Sequence, residues 1–311
     1  MAIMDCIMKE NDVSAVQVAL RIRPQVAREK LELCRICTSV TPGEPQVTIG
    51  EDRCFTYDHV FDQQTAQSNI FESCVANLVA GTFEGFNATV LAYGQTGSGK
   101  TYTMGTAFDM IDVINEEEVG IIPRAIKYLF NEIEARKLQA REKNQFEPVF
   151  DVAAQFVEVA LFNILYNEEV VDLLADDRNS SITLRIHENY NGEIFLHGVT
   201  KINVSNPDET LMVLKNGALN RKTASTNMNE QSSRSHAIFT MFIKQRRGCI
   251  LPTVNVSIIF FCILLLYVIS TRNFYFLLVT IIYFHDFQKA RVYSCIYLGH
   301  LSFDRLVQER N

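Results

Sequence analysis

The octapeptide Gly94-Gln95-Thr96-Gly97-Ser98-Gly99-Lys100-Thr101 follows directly on the apolar run Thr89-Val90-Leu91-Ala92-Tyr93. This pairing restricts the fold more than any other part of the chain. The octapeptide satisfies G-x-x-x-x-G-K-[ST]. Glycines at these places let the backbone wind until several N–H groups converge on one anion. Lys100 supplies a point charge for β- and γ-phosphates, and the Thr101 hydroxyl supplies a ligand for Mg2+. A helix starting near Lys100 would add its positive end. The sequence holds no Asn/Thr-Lys-x-Asp run to read a guanine base, so the expected ligands are ATP and Mg2+.

A short apolar run is how a buried strand reads, so strand, loop and helix follow one another here. Val16 to Arg23 alternates and then meets Pro24, as a strand ended by proline does. Phe55 to Phe61 alternates as well. Ile70, Phe71, Cys74 and Leu78 fall at helical spacing within Ser68 to Val79. Pro123 suits the first turn of a helix whose apolar face is Ile122, Ile126, Leu129, Phe130 and Ile133. Asn191-Gly192 between Leu184–His187 and Ile194–His197 predicts a hairpin. Ser205 to Glu209 reads as a helix start, Leu211 to Leu219 as the helix, and Ala237 to Lys244 as a strand. Phe156 to Leu174 mixes strand and helix signals. Strands alternating with helices give an α/β fold of the P-loop NTPase kind: a central, mostly parallel or mixed sheet with helices on both faces.

Composition narrows the partners. The net charge is −7 over 311 residues. Residues 248–311 hold five Lys/Arg against three Asp/Glu, a balance of +2, so the first 247 carry −9. An acidic body gives no direct evidence for nucleic-acid binding. Cys34-x-x-Cys37 has no second pair and no nearby histidines, so the eight cysteines read as reduced cytosolic thiols rather than a zinc site. Met1 to Asp12 lacks the basic-then-apolar order of a secretory signal.

A second polar element, Asn229-Glu230-Gln231-Ser232-Ser233-Arg234-Ser235-His236, gathers hydroxyls of the kind a Mg-phosphate site uses to hold γ-phosphate and water. With it, the chain resembles the kinesin motor domain. The matching pieces are Arg21-Ile22-Arg23-Pro24, Gly94 to Thr101 with Tyr102-Thr103-Met104-Gly105, Tyr166 to Leu174, and Thr226 to His236. Ile36 to Val47 looks most like the chromokinesin branch and its neuronal relatives. The resemblance covers Val16 to Lys244. It implies a microtubule-stimulated ATPase of the cytoplasm and its microtubule cytoskeleton. It also implies roles: Arg21, Arg23 and Pro24 border the adenine and Tyr102 stacks on it. Gly94 to Thr101 cradle the phosphates, and Ser232 and Ser233 reach Mg2+, γ-phosphate and water. Thr101 and Ser233 are the metal ligands. Arg234 latches onto an acidic residue of a second switch.

The chain departs from the family after this point. Kinesins continue into a central strand ending Asp-Leu-Ala-Gly-Ser-Glu, whose aspartate is Mg-linked and whose glycine senses the γ-phosphate. Beyond His236 the aspartates are Asp286 and Asp304, and neither opens an Asp-x-x-Gly. Arg234, buried without its partner, would cost roughly 3–5 kcal/mol. The expected division is a leader over 1–15, a partial motor domain over 16–247 and a non-homologous apolar tail over 248–311. Cys249 to Thr271 contains no charged residue, long enough to span a membrane with Lys244, Arg246 and Arg247 on its N-terminal side. Val254 to Phe261 also suits the vacant central strand. A third reading is translated non-coding sequence from a retained intron or faulty gene model, because Cys249 to Asn311 has one Ala, one Gly and one Pro amid abundant Phe, Ile, Leu, Tyr and Asn. Upstream, Ala160 to Leu165 is an apolar-rich insert against the family pattern, predicting a longer strand or a bulge.

Overall fold

The computed structural model describes residues 16–106, 116–162, 167–175, 184–188, 194–227, 235–246, 254–264 and 294–301. The apolar run before the glycine-rich loop is strand β6 (Ala88–Gly94). Its Ala88, Val90 and Ala92 are at most 2% exposed, so β6 lies where only a doubly paired strand can satisfy its backbone. Both of its neighbours are parallel to it: β13 (Val254–Leu264) on one edge and β14 (Ser294–Leu301) on the other.

The strands around this centre are β1 (Val16–Ile22), β5 (His59–Phe61), β7 (Val149–Phe162), β8 (Asn167–Asp172), β11 (Ile202–Val204) and β12 (Ser235–Arg246). They form a nine-stranded sheet in the order β11-β7-β12-β13-β6-β14-β1-β5, with β8 paired to β7. The sheet is mixed. The four strands β6, β13, β14, β1 and their neighbour β5 pair in parallel, whereas β12, β7, β8 and β11 pair antiparallel. A small antiparallel sheet of β2 (Thr38–Val40), β3 (Gln46–Ile49) and β4 (Arg53–Thr56) packs Val47 on Leu20 and Ile22 of β1. The hairpin expected around Asn191-Gly192 forms from β9 (Arg185–Glu188) and β10 (Ile194–His197), its turn lying outside the described residues.

The single strand expected over Phe55–Phe61 is two strands. Asp58 divides them: its carboxylate accepts from the Val18 N–H at 2.7 Å, and its own N–H donates to the Val18 carbonyl at 3.1 Å. The chain thereby passes from the small sheet to the edge of the large one. The insert after Val159 lengthens its strand. β7 continues through Ala160–Phe162, paired with β8 from Val157↔Asp172 to Phe162↔Asn167 and with β12 at Ser235↔Ala160.

Helices pack on this sheet through one apolar core. The helix expected over Ser68–Val79 is α2 (Gln67–Ile70), a π turn (Phe71–Val75) and α3 (Ala76–Thr82), joined end to end. Helix α5 (Ile121–Glu142) buries Ile122, Ile126, Leu129 and Ile133, the face read from its spacing. Helix α6 (Pro207–Asn227) begins where Asn206 Oδ1 accepts from the Glu209 N–H as an N-cap, and the Glu209 carboxylate accepts from the Ser205 N–H one residue earlier. All three helical segments share a core with Val90, Phe156, Phe239, Val256, Ile258 and Phe260. The last three belong to β13, so that segment is held by burial as well as by ladder bonds. Its Ser257 also donates from N–H and hydroxyl to Asn87 Oδ1, at 2.8 and 3.2 Å.

Two substitutions test this packing. Phe260 is 1% exposed, and Phe260→Ala is expected to cost about 3–5 kcal/mol in urea unfolding of the whole chain; no change would mean that β13 is not in the core. A Cβ on Gly217 would stand 2.3 Å from Phe156 Cδ1. Gly217→Ala should therefore destabilise by about 1–3 kcal/mol although alanine is the better helix former.

Candidate nucleotide site

The loop leaves β6 through glycines whose conformations other residues resist: Gly94, Gly97 and Gly99 have φ of 154, 77 and 102°. The Ser98 N–H donates to the Gln95 carbonyl at 3.2 Å, closing a turn. Lys100 is 8% exposed, and its Nζ donates to the carbonyls of Gly94 and Gln95 at 2.6 Å each. The lysine thus spans its own loop. Ser98 is fully buried, and its hydroxyl has no hydrogen-bond partner among the described residues. An unmet buried donor inside a glycine turn, beside a buried ammonium group, is what an incoming anion would complete. The residues present therefore fit a nucleotide polyphosphate. Thr101 is exposed at the start of the following helix, where its hydroxyl is available to a cation.

That helix, α4 (Lys100–Met104), has five residues. The expected contribution of a helix end is correspondingly small, because so short a stack of peptides builds little dipole. It is bracketed by left-handed glycines, Gly99 and Gly105 at φ 102 and 75°. Gly105 also meets Gly120 so closely that a Cβ on Gly120 would lie 2.3 Å from the Gly105 nitrogen.

The arginine-proline stretch is placed differently for its two arginines. Arg21, expected at the border of the base, is 7% exposed, with its guanidinium turned into the protein. Nη1 donates to Gln67 Oε1 at 2.8 Å and Thr103 Oγ1 at 2.7 Å, and Cζ lies 5.2 Å from the centre of the Tyr102 ring. Burial draws its pKa below the usual arginine value, and the neighbouring Tyr102 opposes this. Arg23 forms a fork with Glu29, donating to Oε2 at 2.8 Å and making a short contact to Oε1, and donates to the Pro24 carbonyl at 3.0 Å. Their side chains are 12% and 4% exposed, so this pair fixes the turn carrying Pro24. Tyr102 itself is 39% exposed.

Ser232, Ser233 and Arg234 lie outside the described residues. The next residue, Ser235, is anchored: its hydroxyl makes a short contact to Glu158 Oε1, which also accepts from Arg221 Nε at 2.9 Å. Arg221 Nη2 reaches the Ser235 hydroxyl at 3.1 Å. On the far side of the loop, the ends of the parallel strands come level with Gly94. Cys262, Ile263 and Leu264 of β13 register with Ala92, Tyr93 and Gly94, and His300 of β14 registers with Gly94. No acidic residue stands at the end of β13.

Gln67, Glu29, Thr103, Glu158 and Arg221 were not singled out from the sequence. Gln67 carried a usable signal, since it precedes Ile70, Phe71 and Cys74 by helical steps and so puts a polar group on a buried face. Glu29 and Arg221 carried none beyond being charged residues in polar surroundings.

The Kinesin motor domain family model matches residues 21–257. Over 234 residues, 75% of this chain, the sequence is 61% identical to kinesin-like protein klp-12 of Caenorhabditis elegans, of which it covers 14%. It is 55% identical over 242 residues to human kinesin-like protein KIF21B, and 46% identical over 232 residues to mouse chromosome-associated kinesin KIF4. These stretches are 76% and 75% of this chain, and 14% and 18% of the relatives. The structure of a fast kinesin superposes with a TM-score of 0.68 at 30% identity, covering 79% of this chain and 64% of that one. The chain thus spans about a seventh of the length of klp-12 and KIF21B. The wound glycine loop, its buried lysine and the mixed sheet around β6 coincide with these matches, and the chain belongs to the kinesin motor domain family.

Proposed function

We propose that this chain holds ATP with Mg2+ at the Gly94–Thr101 loop as a kinesin motor domain does, and that it turns ATP over slowly. The observation that carries the reading is the buried Lys100 beside the unpartnered Ser98 hydroxyl in a left-handed glycine turn. Gly94, Gln95, Thr96, Gly97, Ser98 and Gly99 wrap the phosphates with backbone N–H groups. Lys100 would supply its charge to the phosphate oxygens. Thr101 and Ser233 would hold Mg2+, Ser232 would serve the γ-phosphate, and Arg23, Pro24 and Tyr102 would border the base. Arg21 supports this wall from behind. Bound Mg-ATP supplies the phosphoanhydride whose cleavage drives a motor; the residues named here bind, orient and shield it.

Slow turnover follows from what ends the strand beside β6. In a site of this kind that position holds the acid linked to Mg2+, and here Cys262, Ile263 and Leu264 occupy the register. Without a charge there, or a backbone group to report γ-phosphate loss, stabilisation of the reacting phosphoryl group falls by orders of magnitude. A second reading is a nucleotide-holding module that neither walks nor hydrolyses, tied to a membrane through residues 249–271. The strand over Val254–Leu264 weighs against the tether, and among the described residues no helix is long and apolar enough to cross a membrane. Residues 16–247 are the motor part in this proposal, and β13 and β14 complete its sheet from the tail.

Calorimetric titration with Mg-ATP is expected to show binding that Lys100→Ala abolishes. Microtubule-stimulated turnover should stay more than about tenfold below that of a complete kinesin motor domain. Turnover within that factor would sink the impairment, and absence of ATP binding would sink the site. Co-sedimentation with microtubules, in ATP and in a non-hydrolysable analogue, separates motor from module: only a motor's affinity changes between them. Transcripts that splice near Arg247 into an Asp-x-x-Gly exon would identify the tail as intron-derived.

A further inference from the structure

Helix α4 carries the loop lysine and Tyr102, yet little in its own sequence holds it in place. It is five residues long, and left-handed glycines at both ends leave its direction to tertiary contacts. Those contacts converge on one buried pair from two other elements. Arg21 comes from the end of β1, where its backbone is level with Phe61 of β5 and His300 of β14. Gln67 is the first residue of α2 and is 1% exposed.

The chemistry of the pair fixes which way each group points. A guanidinium only donates, so the glutamine atom facing it must be the carbonyl oxygen. Arg21 Nη1 donates to that Oε1 at 2.8 Å. The amide nitrogen is then left facing the Tyr102 carbonyl, to which it donates at 2.8 Å. Arg21 Nη1 also donates to the fully buried Thr103 hydroxyl at 2.7 Å, and its guanidinium lies 5.2 Å from the centre of the Tyr102 ring. Residues 102 and 103 are therefore held by backbone, hydroxyl and ring at once. The partners are all neutral, so Arg21 forms no ion pair among the described residues. It has nothing to gain from its charge except the dipoles and the ring it orders. Burying a guanidinium for that purpose is costly, which marks the contact as one that sets geometry rather than stability.

We propose that Arg21 and Gln67 are positioning residues for Tyr102, a buried strut that holds its ring where a nucleobase stacks and so contributes to recognition of the base rather than of the phosphates. This rests on the nucleotide reading above. The strut contacts Tyr102 and Thr103, whereas Lys100 is tied to the Gly94 and Gln95 carbonyls. Base and phosphate recognition are thus separable.

Gln67→Glu is the sharpest test. It is close to isosteric and still accepts from Arg21, whose guanidinium can pair the added charge, but it sets an oxygen in place of the N–H that faces the Tyr102 carbonyl. Binding of Mg-ATP and of inorganic tripolyphosphate is measured by calorimetry on the full chain, with thermal unfolding alongside. Gln67→Glu is expected to weaken ATP about tenfold while tripolyphosphate stays within about twofold, with no loss of thermal stability. Tyr102→Ala should show the same selective loss, and the double variant should bind ATP no more weakly than Tyr102→Ala alone. Arg21→Lys, which keeps a cation but not the fork, should repeat the pattern and serves if Gln67→Glu does not fold. Equal losses for both ligands, additive losses in the double variant, or unchanged ATP affinity would each overturn the proposal. Failure of the unaltered chain to bind ATP is a different result: it removes the nucleotide reading and this one together.

Discussion

β6 lies in the middle of the sheet and must be hydrogen-bonded on both edges, and the rest of the structure is arranged to meet that demand. A central strand with an open edge would bury unpaired N–H and C=O groups, each a penalty of about 1–3 kcal/mol. β13 and β14 remove the penalty, both parallel to β6 and in continuous register from Ala88 to Gly94. Parallel neighbours end on the same side as β6. The loop that follows it therefore opens into a crevice bordered by the ends of two other strands, where open α/β sheets bind their ligands.

At that crevice two basic side chains are held in place by polar contacts. Lys100 is held by carbonyl oxygens and Arg21 by an amide, a hydroxyl and a ring. Arg21 forms no ion pair among the described residues. Arg23 has Glu29 and Arg221 has Glu158. Arg21 is thus held by dipoles and a ring, whereas Arg23 and Arg221 are held by carboxylates.

The loop and much of the frame were legible in the sequence because their signals are local. Three glycines with positive φ, the helical face from Ile122 to Ile133 and the capping residues before α6 each follow from spacing a few residues long. The inward turn of Arg21 was not legible, since it depends on Gln67 and Thr103, 46 and 82 residues away. The break at Asp58 depends likewise on Val18, 40 residues away. The apolar stretch after Gly248 resisted reading for another reason. A continuous apolar run has the same appearance in a buried strand, a buried helix and a membrane span; only its register against β6 distinguishes them.

β13 also shows that filling a place in a fold and performing its chemistry are different requirements. The place beside β6 asks for an extended backbone, apolar side chains toward the core and a bonding partner at the Asn87 end. Val256, Ile258 and Phe260 are buried as required, and Ser257 engages Asn87. Hydrophobic burial is non-directional, so many sequences satisfy this part. The end of the strand beside Gly94 carries no acid: Cys262-Ile263-Leu264 stands in register with Ala92-Tyr93-Gly94. Stability is a sum over the whole interface, whereas phosphoryl transfer depends on a few charges in fixed places. Burial and register therefore account for the sheet and for the loop that rests on it, while the acid that the proposed hydrolysis would use is a separate requirement.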